Sequence, residues 1–234
     1  MNVLPFWKNR ILPVIGSASS TVMAALLELS LLQRILFVAV FWLGFGAGRL
    51  ELPTTAYRSV QEIPSRYFGP DAPLLRGHAV SVSDGDTIRF YHLPLPWLSV
   101  PDKLKISESA LAIRVCTIDT PETPKFGKPG QPFGEEAKQA LQQLVEGRKV
   151  RLRLLQTDQY GRAVAQVLAG RGQYADEVML RQGLAEVYEG AGAVYGPKGK
   201  QYYLDLQEQA RTKEVGIWSL TNRESAAEYK KRTK

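Results

Sequence analysis

The sequence predicts a mainly β fold with α additions: a small five-stranded barrel, about three flanking helices, and a separate apolar helix near the N-terminus. Three observations lead there. Five short strand-like runs are separated by turn residues. Helical periodicity appears only between or after those runs. Hydrophobic residues make up 44% of the 234-residue chain, enough to bury a core.

Residues 1–34 carry Lys8, Arg10 and a Ser/Thr cluster over Ser17–Thr21, with no acid before Glu28, and read as a targeting-like segment. From Ile35 to Gly48 the run ILFVAVFWLGFGAG is uncharged between Arg34 and Arg49. It falls short of the roughly 20 apolar residues of a full span. A single-pass membrane anchor over 35–48 is the preferred reading, against a cleaved targeting signal or a packed soluble helix. Basic residues on both flanks leave its orientation open. Residues 49–75 contain Pro53, Pro64, Pro70 and Pro73 and no apolar period, the pattern of a linker.

The barrel domain is expected over 76–219. His78–Val82 and Thr87–Leu93 form two strands around the tight turn Ser83-Asp84-Gly85-Asp86. Residues 94–110, with Pro94, Pro96 and Pro101, read as a long surface loop, and Leu111–Ile118 as the third strand. Pro132 suits the first turn of a helix with Phe133, Ala137, Leu141, Leu144 and Val145 on one face, stopped at Gly147. Val150–Leu155 alternates apolar with Arg151 and Arg153, and Arg162–Ala169 is the fifth strand after the turn Gln159-Tyr160-Gly161. Helices follow at about 175–182 and 199–213, the second burying Tyr203, Leu206 and Ala210. Five short strands with inserted helices suit a barrel of the OB type. Residues 220–234 read as a loose, basic, polar tail, with Lys230 a surface charge.

Composition narrows the chemistry. One cysteine, Cys116, allows neither an intrachain disulfide nor a Cys-based zinc site, and reads as a core residue. Two histidines, His78 and His92, argue against nucleases and zinc hydrolases built on histidine pairs. The net charge is +7, which suits a nucleic-acid partner. Both ends hold the excess, however, and residues 51–222 carry 21 basic against 20 acidic groups. Phosphate binding there must come from placed arginines.

Three stretches put charge at strand ends: Asp84-Gly85-Asp86-Thr87; Arg114 with Asp119-Thr120-Pro121-Glu122; and Asp158-Gln159-Tyr160-Gly161-Arg162. Singly, each has a bland reading as a hairpin turn or a helix start. Together they supply what phosphodiester hydrolysis needs without histidine. A hard cation on Asp86 and Asp119 would neutralise a phosphate oxygen and bring water close, with calcium or magnesium favoured over zinc. Arg114 and Arg162 would grip the other oxygens as charge grows, and Glu122 would orient or deprotonate the water.

This set, in this order, resembles the staphylococcal-type thermonucleases. Arg181-Gln182-Gly183-Leu184-Ala185 and Gly216-Ile217-Trp218 extend the resemblance over about 76–219. It implies an OB-fold and calcium-dependent endonucleolytic attack on DNA and RNA, leaving 3′-phosphate ends. It also implies calcium on Asp86, Asp119 and the Thr120 carbonyl, with Arg114, Glu122 and Arg162 catalytic. Tyr160, Tyr188 and Tyr195 are the candidates for substrate binding. The run Phe126–Phe133 and the apolar segment ahead of the domain look like the fungal membrane-anchored endonucleases assigned to mitochondria. Gln159 departs from the family, standing where many members carry a lysine. Strict alternation puts Arg114 and Asp119 on opposite strand faces, so the chain must turn or bulge before Asp119. The rival classes are a silent nuclease-like barrel that binds nucleic acid or protein, and a membrane scaffold. No protein partner is inferable.

Overall fold

The computed structural model describes residues 56–125 and 127–233. The expected targeting segment, anchor and N-terminal apolar helix lie outside the described residues. Among the described residues no helix is long and apolar enough to cross a membrane.

Five strands build the barrel: β1 (Leu75–Asp84), β2 (Thr87–His92), β3 (Leu111–Val115), β5 (Lys149–Thr157) and β6 (Ala163–Leu168). They pair in the order β1-β2-β3-β6-β5, and β5 pairs back to β1 to close the ring. All pairs are antiparallel except β3 with β6. A closed ring leaves none of the five with an open edge. The two-residue β4 (Ile118–Asp119) leaves the barrel and pairs with β7 (Glu186–Val187).

Alternation fills the interior. Ile88 and Phe90 from β2, Ile113 and Val115 from β3, and Leu152 and Leu154 from β5 are fully buried. Each such side chain contributes roughly 1.5–3 kcal/mol relative to exposure. Register shifts bend β1 between Ala79 and Ser81 and between Val82 and Asp84, at the end that leads into the first acidic turn.

Five helices are described: α1 (Ile106–Ser109), α2 (Gly134–Val145), α3 (Ala175–Arg181), α4 (Gly199–Thr212) and α5 (Ala226–Arg232). The expected start of α2 at Pro132 is two residues early. Phe133 takes a left-handed φ of 67°, and the helix begins at Gly134. Its expected end holds, with Gly147 at φ 68° just beyond.

Two expectations are corrected. From Tyr57 onward the expected linker packs onto the barrel: Val60 and Ile63 are 6% exposed within the core, and Phe68 bridges to Leu154. The prolines broke its periodicity because it forms short 3-10 turns, Val60–Glu62 and Ser65–Tyr67, and presents single apolar residues. The tail after Ser219 is not loose either. Ser225 and Glu228 form a reciprocal capping box at the start of α5, and Tyr229 is buried. A signal of S-x-x-E type was present in the sequence.

Buried polar groups also stand away from the strand-end acids. His92 is stacked on Tyr57 and accepts its N–H at 3.0 Å, and burial holds the imidazole down at about 4. Asp176 of α3 is fully buried, with Oδ1 accepting the Glu177 N–H at 3.0 Å and Oδ2 at 3.8 Å from Cys116 Sγ. Burial pushes its carboxyl up to about 7. A raised carboxyl favours the folded state below its unfolded value of 3.8, and that contribution is lost as pH rises through 7. Asp176→Asn should therefore gain on the natural chain in thermal midpoint between pH 4 and 7.5. A difference that stays flat over that range would show that Asp176 does not titrate as its burial requires.

Candidate active site

Three strand-end turns meet at one end of the barrel. The first joins β1 to β2 through Gly85 and Asp86. Gly85 is required by space: a Cβ there would lie 2.7 Å from Thr120 Oγ1 and 2.9 Å from the Ala137 methyl. The turn therefore seats directly against Thr120 and α2. The Asp86 carbonyl accepts the Val115 N–H at 2.8 Å, and its Oδ1 accepts the Thr87 hydroxyl at 2.8 Å.

The second turn solves the alternation problem around Arg114. Thr117 adopts a φ of 72°, and the Ile118 N–H donates to the Cys116 carbonyl at 2.8 Å, reversing the chain in three residues. A β-branched residue in this region stores roughly 1–3 kcal/mol of strain. The Tyr188 N–H to the Thr117 carbonyl, 2.7 Å, helps hold it. The turn brings Asp119 back to the side of Arg114. Arg114 Nη2 then reaches the Ile118 carbonyl at 3.0 Å, Asp119 Oδ1 at 3.2 Å and Asp86 Oδ2 at 3.3 Å.

The third turn presents Arg162. Asp158 Oδ1 accepts the N–H groups of Tyr160 and Arg162, each at 2.9 Å, and Oδ2 takes Arg162 Nε at 2.7 Å. Arg162 Nη1 donates to Thr87 Oγ1 at 3.1 Å. An unbroken chain of contacts thus runs from Asp158 through Arg162, Thr87, Asp86 and Arg114 to Asp119.

Glu122 lies farther along the same segment and is gripped through its backbone. The Gln131 side chain accepts the Glu122 N–H at 3.1 Å, and the Gln131 N–H donates to the Glu122 carbonyl at 2.8 Å. Gly134 lets that carbonyl approach, since a Cβ there would meet it at 2.5 Å. Sequence reading missed Gln131, although it stands in the run Phe126–Phe133 singled out for its likeness to relatives.

It also missed Lys230. The ammonium of this α5 residue lies 2.7 Å from Asp119 Oδ1 and 3.1 Å from Glu122 Oε1. The expected loose surface charge is thus corrected: α5 folds back on the barrel and carries Lys230 among the acids. Lys125 does a similar job at Asp84, at 2.8 Å.

The three tyrosines separate. The Arg114 guanidinium lies 4.7 Å over the Tyr188 ring, and that of Arg162 5.6 Å from the Tyr160 ring. Tyr160 is 74% exposed. Tyr195 packs against the core, and its hydroxyl donates to the Tyr188 carbonyl at 3.0 Å. Tyr195 is thus tied to the Tyr188 backbone, while the rings of Tyr188 and Tyr160 lie against the two arginines.

The donor set suits a hard cation. Asp86 and Asp119 converge on one guanidinium nitrogen while nearly sealed from solvent. Burial, against the pull of Arg114 and with the nearby charges of Asp84 and Asp119, pushes the Asp86 carboxyl up to about 7. Among the described residues no three His, Cys, Asp or Glu side chains gather as a metal site. The remaining ligands would be the carbonyl of Thr120, itself buried, and water, as oxygen-seeking cations accept.

The family model for Staphylococcal nuclease homologues matches residues 112–220. Endonuclease Htp3 of Saprolegnia parasitica is 42% identical over 205 residues, spanning 83% of this chain and 95% of its own. The chain belongs to the staphylococcal nuclease homologue family. Its relatives include the probable endonuclease LCL3 of Komagataella phaffii, 36% identical over 78% of this chain and 80% of that one. Another is the probable endonuclease lcl3 of Schizosaccharomyces japonicus, 40% identical over 76% and 85%. As a member of this nuclease family, the chain is a hydrolase acting on nucleic acid. The family match starts inside β3 and ends before α5. The first acidic turn, with Asp86, and the helix that carries Lys230 both lie beyond it.

The reversal at Thr117 can be tested by itself. Glycine accepts a positive φ, whereas proline fixes φ near −65° and cannot take it. Thr117→Gly should keep nuclease activity and stay within about 1 kcal/mol of the natural stability. Thr117→Pro should lose both, the second by about 3 kcal/mol or more. Equal activity in the two variants would mean that the left-handed residue does not set the site.

Proposed function

We propose that this chain is a calcium-dependent endonuclease that hydrolyses phosphodiester bonds of DNA or RNA, held at a membrane by residues 35–48. One observation carries the catalytic part of this reading. Arg114, Asp119, Glu122, Asp86 and Arg162 lie in one connected network at one end of the barrel.

Asp86, Asp119 and the Thr120 carbonyl would hold the calcium ion. When bound, it supplies charge to a phosphoryl oxygen and acidity to a nearby water. The remaining work falls to side chains. Arg162 keeps its Nε on Asp158 and its Nη1 on the uncharged Thr87, so the outer part of its fork is available to phosphate oxygens. Arg114 is more deeply tied and puts a fixed positive charge beside the same position. Both would bind more strongly as negative charge grows on the phosphoryl group. Glu122, held by Gln131 through its backbone, would orient the attacking water and take its proton. Tyr160 and Tyr188 offer ring faces beside the two arginines, suited to a nucleobase or sugar.

Single-turnover cleavage of a short DNA strand by the full chain tests this reading. Calcium should support cleavage and a chelator should abolish it. Magnesium, with its stricter octahedral demand, should support it poorly. Arg162→Ala should lower the catalytic constant by about 100–1,000-fold with little change in substrate affinity. Glu122→Gln, nearly isosteric, should stay folded and lose activity. Full activity in chelator, or natural rates in both variants, would remove the site from the mechanism.

The membrane part rests on the uncharged run over Ile35–Gly48 between two arginines. The preceding basic, acid-poor segment favours a mitochondrial membrane. After alkaline carbonate extraction the intact chain should stay with the membrane pellet. Its release at full length would contradict an integral anchor, and release of a shortened form would support a cleaved signal.

A further inference from the structure

The C-terminal helix delivers a cation to the position where the catalytic metal is expected. We propose that Lys230 is the resident cation of the metal-free site, and that its ammonium competes with calcium for Asp119. This rests on the calcium reading above and deepens it.

Geometry carries the argument. Lys230 Nζ makes ion pairs with Asp119, at 2.7 Å, and with Glu122, at 3.1 Å. Asp119 Oδ1 thus serves two cations, since Arg114 Nη2 is 3.2 Å from the same oxygen. A divalent ion on the Asp119 carboxylate would stand within a few ångströms of the ammonium. Two like charges so close in a poorly hydrated site repel strongly, so calcium and the Lys230 contact oppose each other.

The placement is built rather than incidental. Glu186 pairs across the strands with Asp119. It holds the Arg223 guanidinium at 2.5 Å and the Ala226 N–H at 2.9 Å, which fixes the start of α5. The Gln131 amide donates to the Glu224 carbonyl at 3.0 Å and grips Glu122 at its other end. The buried Tyr229 donates its hydroxyl to the Pro129 carbonyl. The capping box sets the helix start, and Lys230 follows Tyr229 directly. The same residues that order the metal and water segment therefore also dock the helix carrying Lys230. A cavity of about 170 Å³ lined by Asp119, Gln131, Glu186, Arg223 and Ala226 lies beside these anchors.

A surface lysine forming an ordinary ion pair would have none of these consequences for metal binding, and that is the discriminating measurement. Calcium affinity of the full chain, in mild detergent, is measured by titration calorimetry with calcium chloride alone. Lys230→Met should bind calcium at least about tenfold more tightly, the scale on which one nearby charge moves another equilibrium. Lys230→Arg, which keeps the charge, should stay near the natural affinity. Tyr229→Ala, which unpins the helix without touching the acids, should tighten binding in the same direction. Thermal midpoints in chelator establish that each variant folds. Asp119→Asn serves as the reference for the calcium reading. If it binds calcium as the natural chain does, that reading fails, and this proposal with it. If Asp119→Asn loses binding while Lys230→Met binds no more tightly than the natural chain, only the competition is overturned.

Discussion

Two buried carboxylates side by side repel each other and each loses several kcal/mol of hydration, so both stay ionised only with positive charge between them. Here the charge comes first from Arg114. Its Nη2 touches the carboxylates of two different strand ends and a backbone carbonyl of the chain reversal between them. That single group fixes where β2 starts relative to β4. Thr87 then passes the constraint to Arg162 through its hydroxyl, and Lys230 extends it to Glu122. The site is one electrostatic lattice: Asp86 and Asp119 share Arg114, Glu122 meets Lys230, and Asp158 holds Arg162 within its own turn.

The barrel exists, for this purpose, to bring the ends of non-adjacent segments together. Thr87 lies directly across from Arg114 in the β2–β3 ladder, and Arg114 across from Val164 in the parallel β3–β6 ladder. The register of three strands therefore sets the spacing of the arginines before any side-chain contact forms. The short β4–β7 pair, outside the barrel, does the same for Asp119 and Glu186. Because register is fixed by burial of Ile88, Ile113 and Leu154, the geometry of the polar site is secured by the apolar core beneath it.

Much of this was legible in the residues. Alternation in Val150–Leu155 and turn residues at Asp84–Asp86 and Asp158–Gly161 located the barrel strands, because a half-buried strand must alternate. The five charged candidates, Asp86, Arg114, Asp119, Glu122 and Arg162, stood out only in combination, since each charged turn alone also has a structural reading. The tail was not legible by the same reasoning. Its composition is polar and basic, and Tyr229 is its one large buried ring, so periodicity carried no signal. Only the Ser225–Glu228 spacing pointed to a helix, and nothing local said that Lys230 would meet Asp119, 111 residues away. The segment around Val60 and Ile63 escaped for a similar reason, since isolated apolar residues among prolines show no period. The sequence required a reversal before Asp119, but a left-handed threonine is not a residue that propensity would select.

The central claim is that Asp86 and Asp119, drawn together by Arg114, form the seat of a hard cation. The most direct measurement is a crystal structure of the nuclease soaked with a calcium-like ion of strong anomalous scattering. A single anomalous peak should lie about 2.3–2.6 Å from oxygens of both Asp86 and Asp119, with the Lys230 ammonium moved off Asp119. A peak elsewhere, or none at a concentration that supports cleavage, would contradict the account.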